Sequence, residues 1–461
     1  MDAPASSLAP APSAKMPSGI PYIVGNEAAE RFSFYGMRAI LVVFMTKYLR
    51  DRHGSLAPMS DNEADGWYHL FIATNYFFPI FGAILADALW GKYRTIFWLS
   101  IVYCFGHFSL ALDDTRLGLA LGLGLISIGS GGIKPCVSAN VGDQFTAANQ
   151  HLISRAFGWF YFSINAGSFI SILLIPWLLD AYNSKVAFAV PGVLMAIATL
   201  IFWLGRRRFI HVPPSGIRFV KETLFSREAL ATLGRLGVIY VFVALGFWTM
   251  WDQSGGEWVL QAERMNLKFL GFNLLSSQIQ SVNAVMILAF IPLFQYVVYP
   301  AIDKVFPLTP LRKIGLGFVV TGSSFLISAW IETRLAAGAK PSIAWQIPAY
   351  ALLTAGEIMV SITSLEFSYT QAPKAMKSVV MAIYLWSISA GNLFAALVHK
   401  VIENPDGTAK LSGARYYLFY FGLSVVSAFV FVFFARRYKE QNYLQDEFPA
   451  NTPTSEAAPV S

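Results

Sequence analysis

Hydrophobic residues fall into twelve runs of roughly 20–30 residues, long enough as helices to cross a hydrocarbon layer of about 30 Å. They lie at about 20–48, 67–89, 94–112, 117–137, 154–179, 186–205, 236–262, 274–300, 313–332, 343–371, 379–400 and 415–435. The pattern predicts an all-α integral membrane protein with twelve transmembrane helices. No run reads as a cleavable leader. The longest polar interruption, 206–235, comes after the sixth run and includes the Pro-bearing stretch His211–Gly216. The chain therefore divides into a six-helix bundle over 20–205, a basic linker over 206–235 and a second bundle over 236–436. Residues 1–19, rich in Ala, Pro and Ser, and residues 437–461 are expected to be disordered tails.

Polar residues inside these runs carry the functional signal. A charge at the bilayer centre costs about 2.5–3.5 kcal/mol on insertion scales, so it persists where it faces protein or a watery cavity. The first run holds Glu27, Glu30, Arg31 and Arg38, and positions 27, 31, 35 and 38 share a helix face. Helix capping and snorkelling would be the plain alternative for these ends. Lys134 comes after Gly129-Ser130-Gly131-Gly132-Ile133 and precedes Pro135, so close helix approach is expected beside it. Asp252 lies one turn beyond Trp248. Glu257 comes after Gly255-Gly256, which marks an irregular segment. Glu357 and Glu366 share the tenth run, but nine residues at 100° each place them on nearly opposite faces of a straight helix. Polar neighbours favour Glu366 for a cavity, and Glu357 is assigned to a helix–helix contact. His69 and Tyr76 share one face of the second run, Tyr161 and Asn165 one face of the fifth, and Asn283 stands in the apolar eighth. Each alone would be an ordinary interhelical polar group.

Composition agrees: 55% of residues are hydrophobic and 13% charged, against about 25% charged in soluble domains. An even number of spans puts both termini on one side. With that side cytoplasmic, about 19 Lys/Arg fall inside, about 12 outside and about 3 within spans, as the positive-inside rule requires. The net charge of +7 thus reflects topology, and no nucleic-acid partner is expected. Cys104 and Cys136 fit no metal or disulfide pattern. The loop Gly82–Thr95, with Asp87, Gly91, Lys92 and Arg94, resembles the short acid–glycine–basic loop of major facilitator transporters. Tyr299–Lys304 with Arg312-Lys313 is a weaker echo at the equivalent place in the second half. Two six-helix repeats of this kind bind substrate between them near mid-membrane.

Other likenesses are more specific. Glu27-Ala28-Ala29-Glu30-Arg31-Phe32-Ser33-Phe34-Tyr35 resembles the ExxERFxYY signature of the proton-dependent oligopeptide transporter (POT/PTR) family. Phe160-Tyr161-Phe162-Ser163-Ile164-Asn165-Ala166-Gly167-Ser168 resembles its FYxxINxGS signature. Similar runs occur at Gly131–Pro135, Phe247–Gln253, Ser281–Ala284 and Leu365–Tyr369 with Gln371-Ala372-Pro373. The resemblance runs from about 21 to 436. It implies a major facilitator fold with both termini cytoplasmic, and import of di- and tripeptides coupled to protons. It places Arg31 and Lys134 by the peptide carboxylate, Glu366 by its amino group, and Tyr35, Arg38, Tyr76, Tyr161, Asn165, Trp248 and Asn283 along the pocket. It assigns proton coupling to Glu27, Glu30 and Arg31, with His69 and Asp252 as an outer pair. Asp87, Arg94 and Glu257 are expected to be gating or structural. Protons are the only coupling ion expected, with no cofactor and no metal.

The sequence departs from the family in three places. Phe34 replaces a tyrosine of the signature. The 206–235 linker is too short for the two extra helices of many bacterial members. The 332–342 loop is too short for the large outer domain of animal members. The expected setting is the bilayer of the inner (plasma) membrane, with the chain working as a monomer. Two rival readings are a same-fold carrier of nitrate or another small anion, and a peptide sensor. No phosphate loop or nucleophile motif supports an enzyme.

Overall fold

The computed structural model describes residues 15–438, apart from 147–148, 150–151, 219–221, 223–225, 372–376 and 406–407. Most of both expected tails therefore lies outside the described residues, as does the Ala372-Pro373 part of the last signature run.

Among the described residues, twelve long helices run up and down in succession. They are α1 Ile20–Lys47, α2 Asp61–Trp90, α3 Lys92–Leu112, α4 Arg116–Asp143, α5 Ile153–Ala181, α6 Ser184–Leu204, α7 Leu230–Glu263, α8 Ser276–Asp303, α9 Pro310–Ala336, α10 Ile343–Ser368, α11 Lys377–Ile402 and α12 Ala414–Ala435. Helices α2 to α12 supply 11 segments long and apolar enough to cross a membrane. Helix α1 is as long, at 28 residues, but carries five charged residues, Glu27, Glu30, Arg31, Arg38 and Lys47. Those charges are the reason to look there for a site.

Side-chain caps set several starts. Ser60, Thr115, Asn183 and Thr309 accept from the backbone N–H of Glu63, Gly118, Val186 and Arg312, which satisfies donors that the first helical turn leaves free. Among the described residues, four helices depart from regular geometry. Ala86–Trp90 in α2, Ala244–Trp248 in α7, Phe294–Val298 in α8 and Ile358–Ile362 in α10 are π-turns. In α7 a 3₁₀ turn comes next at Asp252–Gly255, where the sequence expects an irregular segment before Glu257. Such turns recur at functional sites.

In the first half, α1 packs on α5 and α6, and α3 on α4 and α6. In the second, α9 packs on α10 and α12. One buried cluster unites the first half and takes in Val259 and Leu260 of α7, while three smaller clusters fill the second. The expected close approach beside Lys134 is present: a Cβ on Gly82 of α2 would lie 2.4 Å from the Gly132 Cα of α4.

The halves meet chiefly along α2 and α11. Trp386 Nε1 donates to the Phe77 carbonyl at 3.1 Å, Ser389 Oγ to Ala73 at 2.8 Å, and Asn62 Nδ2 to His399 at 3.1 Å. Gln278 Nε2 reaches the Leu173 carbonyl at 2.9 Å, and Lys47 pairs with Glu263. These contacts extend toward the side away from the termini. There the loops are tied by single bridges, Arg50 to Thr115 and Asn266 to Ser342.

Candidate functional site

Three polar clusters line the seam between the bundles. The first is built on α1 and α4. Arg31 Nε lies 2.7 Å from Glu27 Oε1 and 3.4 Å from Glu30 Oε2. The Lys134 ammonium lies 3.7 Å from Glu30 Oε1. Both carboxylates are buried, and the i,i+4 spacing on α1 brings Glu27 to Arg31. Ser130, one turn before Lys134, accepts from the ammonium at 2.5 Å and donates to Glu30 Oε1 at 3.4 Å. The sequence reading missed Ser130; its i,i+4 spacing to Lys134 was the available signal. Two acids and two cations balance, so one added proton leaves the cluster with a net positive charge.

Lys134 also faces aromatic rings. Its Nζ lies 3.9 Å from the Phe34 ring centroid and 5.3 Å from that of Tyr76. Phe34, where the family signature has tyrosine, thus offers its π-face to the ammonium. Tyr35 and Tyr76 are half-buried beside Arg31.

The second cluster joins the halves. Arg38 of α1 donates through Nη2 to Asp252 Oδ1 of α7 at 2.6 Å and through Nε to the Tyr68 hydroxyl at 2.6 Å. Trp251 covers its guanidinium at 5.1 Å. Asp252 takes a second bond from Asn392 Nδ2 of α11, and Asn392 Oδ1 faces His69 Nδ1 at 2.7 Å. The expected His69–Asp252 pair is therefore brought together through Asn392 and is not a direct contact. Glycines make this approach possible: a Cβ at Gly255 would stand 2.0 Å from the Tyr68 hydroxyl and one at Gly256 1.7 Å from Asp65 Oδ1.

The third cluster lies one turn outward. Asp65 Oδ2 is 2.7 Å from His399 Nε2 and 3.5 Å from His69 Nε2, and the two imidazoles stack with centroids 5.9 Å apart. Asp65, Asn392 and His399 were not singled out from sequence. Asp65 and His399 lie toward the ends of their spans, where polar residues are ordinary, Asn392 sits in the middle of α11, and the groups they meet lie on distant segments.

Helix α10 revises one expectation. Asn283 Nδ2 donates to Glu357 Oε2 and to Thr354 Oγ1, both at 2.9 Å. Glu357 thus makes the helix–helix contact assigned to it. It also lies within electrostatic reach of Arg38, Asp252, Tyr35 and Tyr161, so it belongs to the seam as well. The straight-helix argument fails because the π-turn at Ile358–Ile362 separates Glu357 from Glu366. One extra residue in a turn rotates the remainder of the helix back by roughly 100°, which brings the two carboxylates toward one side. Glu366 is exposed.

The remaining candidates are more local. Tyr161 is 49% exposed, and Asn165 donates to its carbonyl at 2.8 Å. Trp248 is buried, with its ring against Phe247 and Trp251. At the α2–α3 loop it is Lys92 that pairs, with Asp143 of α4 at 2.6 Å. Arg94 is exposed, and the Asp87 carbonyl receives the Ser215 N–H of the linker at 2.7 Å. Glu257 starts the last segment of α7, and its carbonyl faces the Tyr417 hydroxyl at 3.4 Å.

Comparison with known proteins places this arrangement. The POT family model matches residues 93–226 and 226–416. Peptide transporter family 1 of Drosophila melanogaster is 36% identical over 371 residues, covering 70% of this chain and 49% of that protein. The chain spans about half the length of the curated relatives it matches. A crystal structure of an auto-inhibited POT family peptide transporter superposes with a TM-score of 0.83 at 34% identity, covering 94% of this chain and 99% of that one. The in meso crystal structure of the POT family transporter PepTSo gives 0.80 at 35% identity, covering 92% and 99%. The two six-helix bundles are thus a major facilitator fold in a multi-pass membrane protein, and the chain belongs to the POT family.

Proposed function

We propose that the protein is a proton-coupled symporter that imports di- and tripeptides across the plasma membrane by alternating access. The observation that carries this reading is the buried Glu30 carboxylate held between Arg31 and Lys134, in a chain similar to proteins named peptide transporters. A short peptide is a zwitterion. Arg31 and Lys134 on the first half offer donors to its carboxylate, and Arg offers a fork that can bind both oxygens. Glu366 and Glu357 on the second half offer counter-charge to its ammonium. A ligand held at both ends bridges the bundles and favours their closing together. Reading only the termini and backbone leaves side chains to aromatic walls at Tyr35, Tyr76, Tyr161 and Trp248, which suits many peptides.

Coupling arises from charge balance. With Glu30 ionised, its two cations are satisfied. Protonation at Glu30, assisted by Glu27, weakens both pairs and frees Arg31 and Lys134 for the peptide carboxylate. Each charge moved inward gains about 2.3 kcal/mol per 100 mV, a roughly fiftyfold gradient. The Arg38–Asp252–Asn392–His69 chain joins the halves on the side away from the termini. We place the termini in the cytoplasm, which makes this an outward-closed state and the chain a working monomer.

The test is uptake of labelled di-alanine into proteoliposomes, with an inside-negative potential and an acidic outer buffer. Accumulation that collapses with a protonophore is the expected result. Folded protein that takes up no peptide, but carries nitrate or another anion, would overturn the reading.

A further inference from the structure

We propose that Asp65, His69 and His399 form a divalent-cation site, suited to Zn²⁺, that bridges the two halves. The three side chains are wholly or almost wholly buried, and one ligand atom from each lies within 4.8 Å of those of the other two. Neither a phosphate loop nor a Cys/His spacing announces the site in the sequence, because α2 supplies two donors and α11, from the other half, supplies the third.

The hydrogen bonds around the imidazoles make the case. His69 Nδ1 faces Asn392 Oδ1 at 2.7 Å. The Asn392 amide is fixed in that orientation, since its Nδ2 donates to Asp252 Oδ2 and to the Ile388 carbonyl. His399 Nδ1 faces Asn62 Oδ1 at 2.9 Å, and Asn62 Nδ2 donates to the His399 carbonyl. A carbonyl oxygen only accepts, so both Nδ1 atoms carry hydrogen. In a neutral imidazole this leaves Nε2 with a lone pair, and both Nε2 atoms converge on the Asp65 carboxylate, that of His399 at 2.7 Å and that of His69 at 3.5 Å. Asp65 Oδ1, Asp65 Oδ2 and His69 Nε2 are buried without a hydrogen-bond partner.

Buried acceptors that face one another are costly unless a cation lies between them. Two imidazoles and a carboxylate, each imidazole held by a carbonyl behind it, are the ligand set and outer shell that zinc takes. The Tyr416 hydroxyl gives its hydrogen to Gln253 Oε1 at 2.9 Å, so at 2.8 Å it accepts from His399 Nε2, and a metal bound here displaces that one proton. Access comes from the side away from the termini. A cavity of about 280 Å³, lined by Asp61, Asn62, Glu257, Arg264, His399 and Tyr416, opens next to the site. Its lining carries two carboxylates, Asp61 and Glu257, against one cation, Arg264, a net negative balance that favours cations.

Because the donors come from both bundles, an ion bound here holds α2 against α11 and keeps this side shut. Zinc on that side should therefore arrest transport without competing with substrate. This consequence rests on the transport reading; binding itself does not.

The experiment is Zn²⁺ binding to the full-length chain in nanodiscs at neutral pH, by equilibrium dialysis with metal analysis. Co²⁺ substitution reports ligand geometry through its visible absorption. The expected result is one Zn²⁺ per chain that raises the thermal midpoint. His399→Gln and Asp65→Asn, each shown to be folded, should abolish this binding. Asn62→Ala keeps all three ligands but removes the acceptor behind His399, and should weaken binding about 10–100-fold. A double change of His53 and His211, which lie outside the cluster, should leave it intact. A folded protein that binds no stoichiometric Zn²⁺, its cluster holding protons alone, would overturn the proposal. So would Zn²⁺ binding that survives both His399→Gln and Asp65→Asn.

Discussion

Glu30 is fully buried, and its carboxylate is held by Arg31, Lys134 and the Ser130 hydroxyl between them. Removing the charge without changing shape should separate two activities. Glu30→Gln keeps the hydrogen-bonding outline but leaves Lys134 without a carboxylate partner and Arg31 paired with Glu27 alone, so the cluster keeps a net positive charge for a peptide carboxylate. Counterflow exchange of labelled peptide should persist, while uptake driven by a proton gradient should fall to the level of passive exchange. Undiminished driven uptake by Glu30→Gln would remove Glu30 from the coupling path. Much of this cluster was legible in the sequence, because a charge inside an apolar run demands a reason. Its partners were less so. Ser130 was signalled only by its i,i+4 spacing to Lys134, and the interaction of Phe34 with Lys134 depends on how closely α1 approaches α4.

At the scale of elements, the helices were readable as apolar lengths, but their irregularities were not. Ile358–Ile362 is an unbroken run of ordinary residues apart from one serine, yet it forms the π-turn that re-aims Glu366 relative to Glu357. Gly255-Gly256 did mark its irregular turn, since the missing side chains are what let α7 approach α2. That yields a paired prediction. Gly256→Ala places a methyl group against the Asp65 carboxylate and should cost about 1–3 kcal/mol as an overpacked contact. Gly124→Ala, in α4, meets nothing within 4 Å and should be neutral or stabilising by up to about 1 kcal/mol. Thermal unfolding in one detergent should therefore show a clear drop for the first and none for the second. Equal midpoints would mean that α7 does not pack on α2 as described.

For the whole molecule, the question is what holds the two bundles together on one side. Their cores are largely separate, so the seam depends on α2 against α11 and on a few buried polar links. The Arg38–Asp252 bond, at 2.6 Å and nearly inaccessible to solvent, joins an arginine of one half to a carboxylate of the other in the interior. Truncating one partner of such a pair costs about 2–5 kcal/mol, largely because the other charge is left unpaired. Opening lets water reach Arg38, so Asp252→Asn should destabilise the closed seam more than the open one. At about 1.4 kcal/mol per tenfold, even the lower end of that range shifts the equilibrium about 30-fold. Spin labels at Leu56 and Leu270, exposed positions in loops of opposite halves on the closed side, report the separation by pulsed electron resonance. The wild-type chain should give a short-distance population that Asp252→Asn moves to a longer one, and Arg38→Gln should do the same because the seam loses the same bond. If neither substitution alters the distance distribution, the seam is held by the α2–α11 packing alone, and the charged chain from Arg38 to His69 has some purpose other than closure.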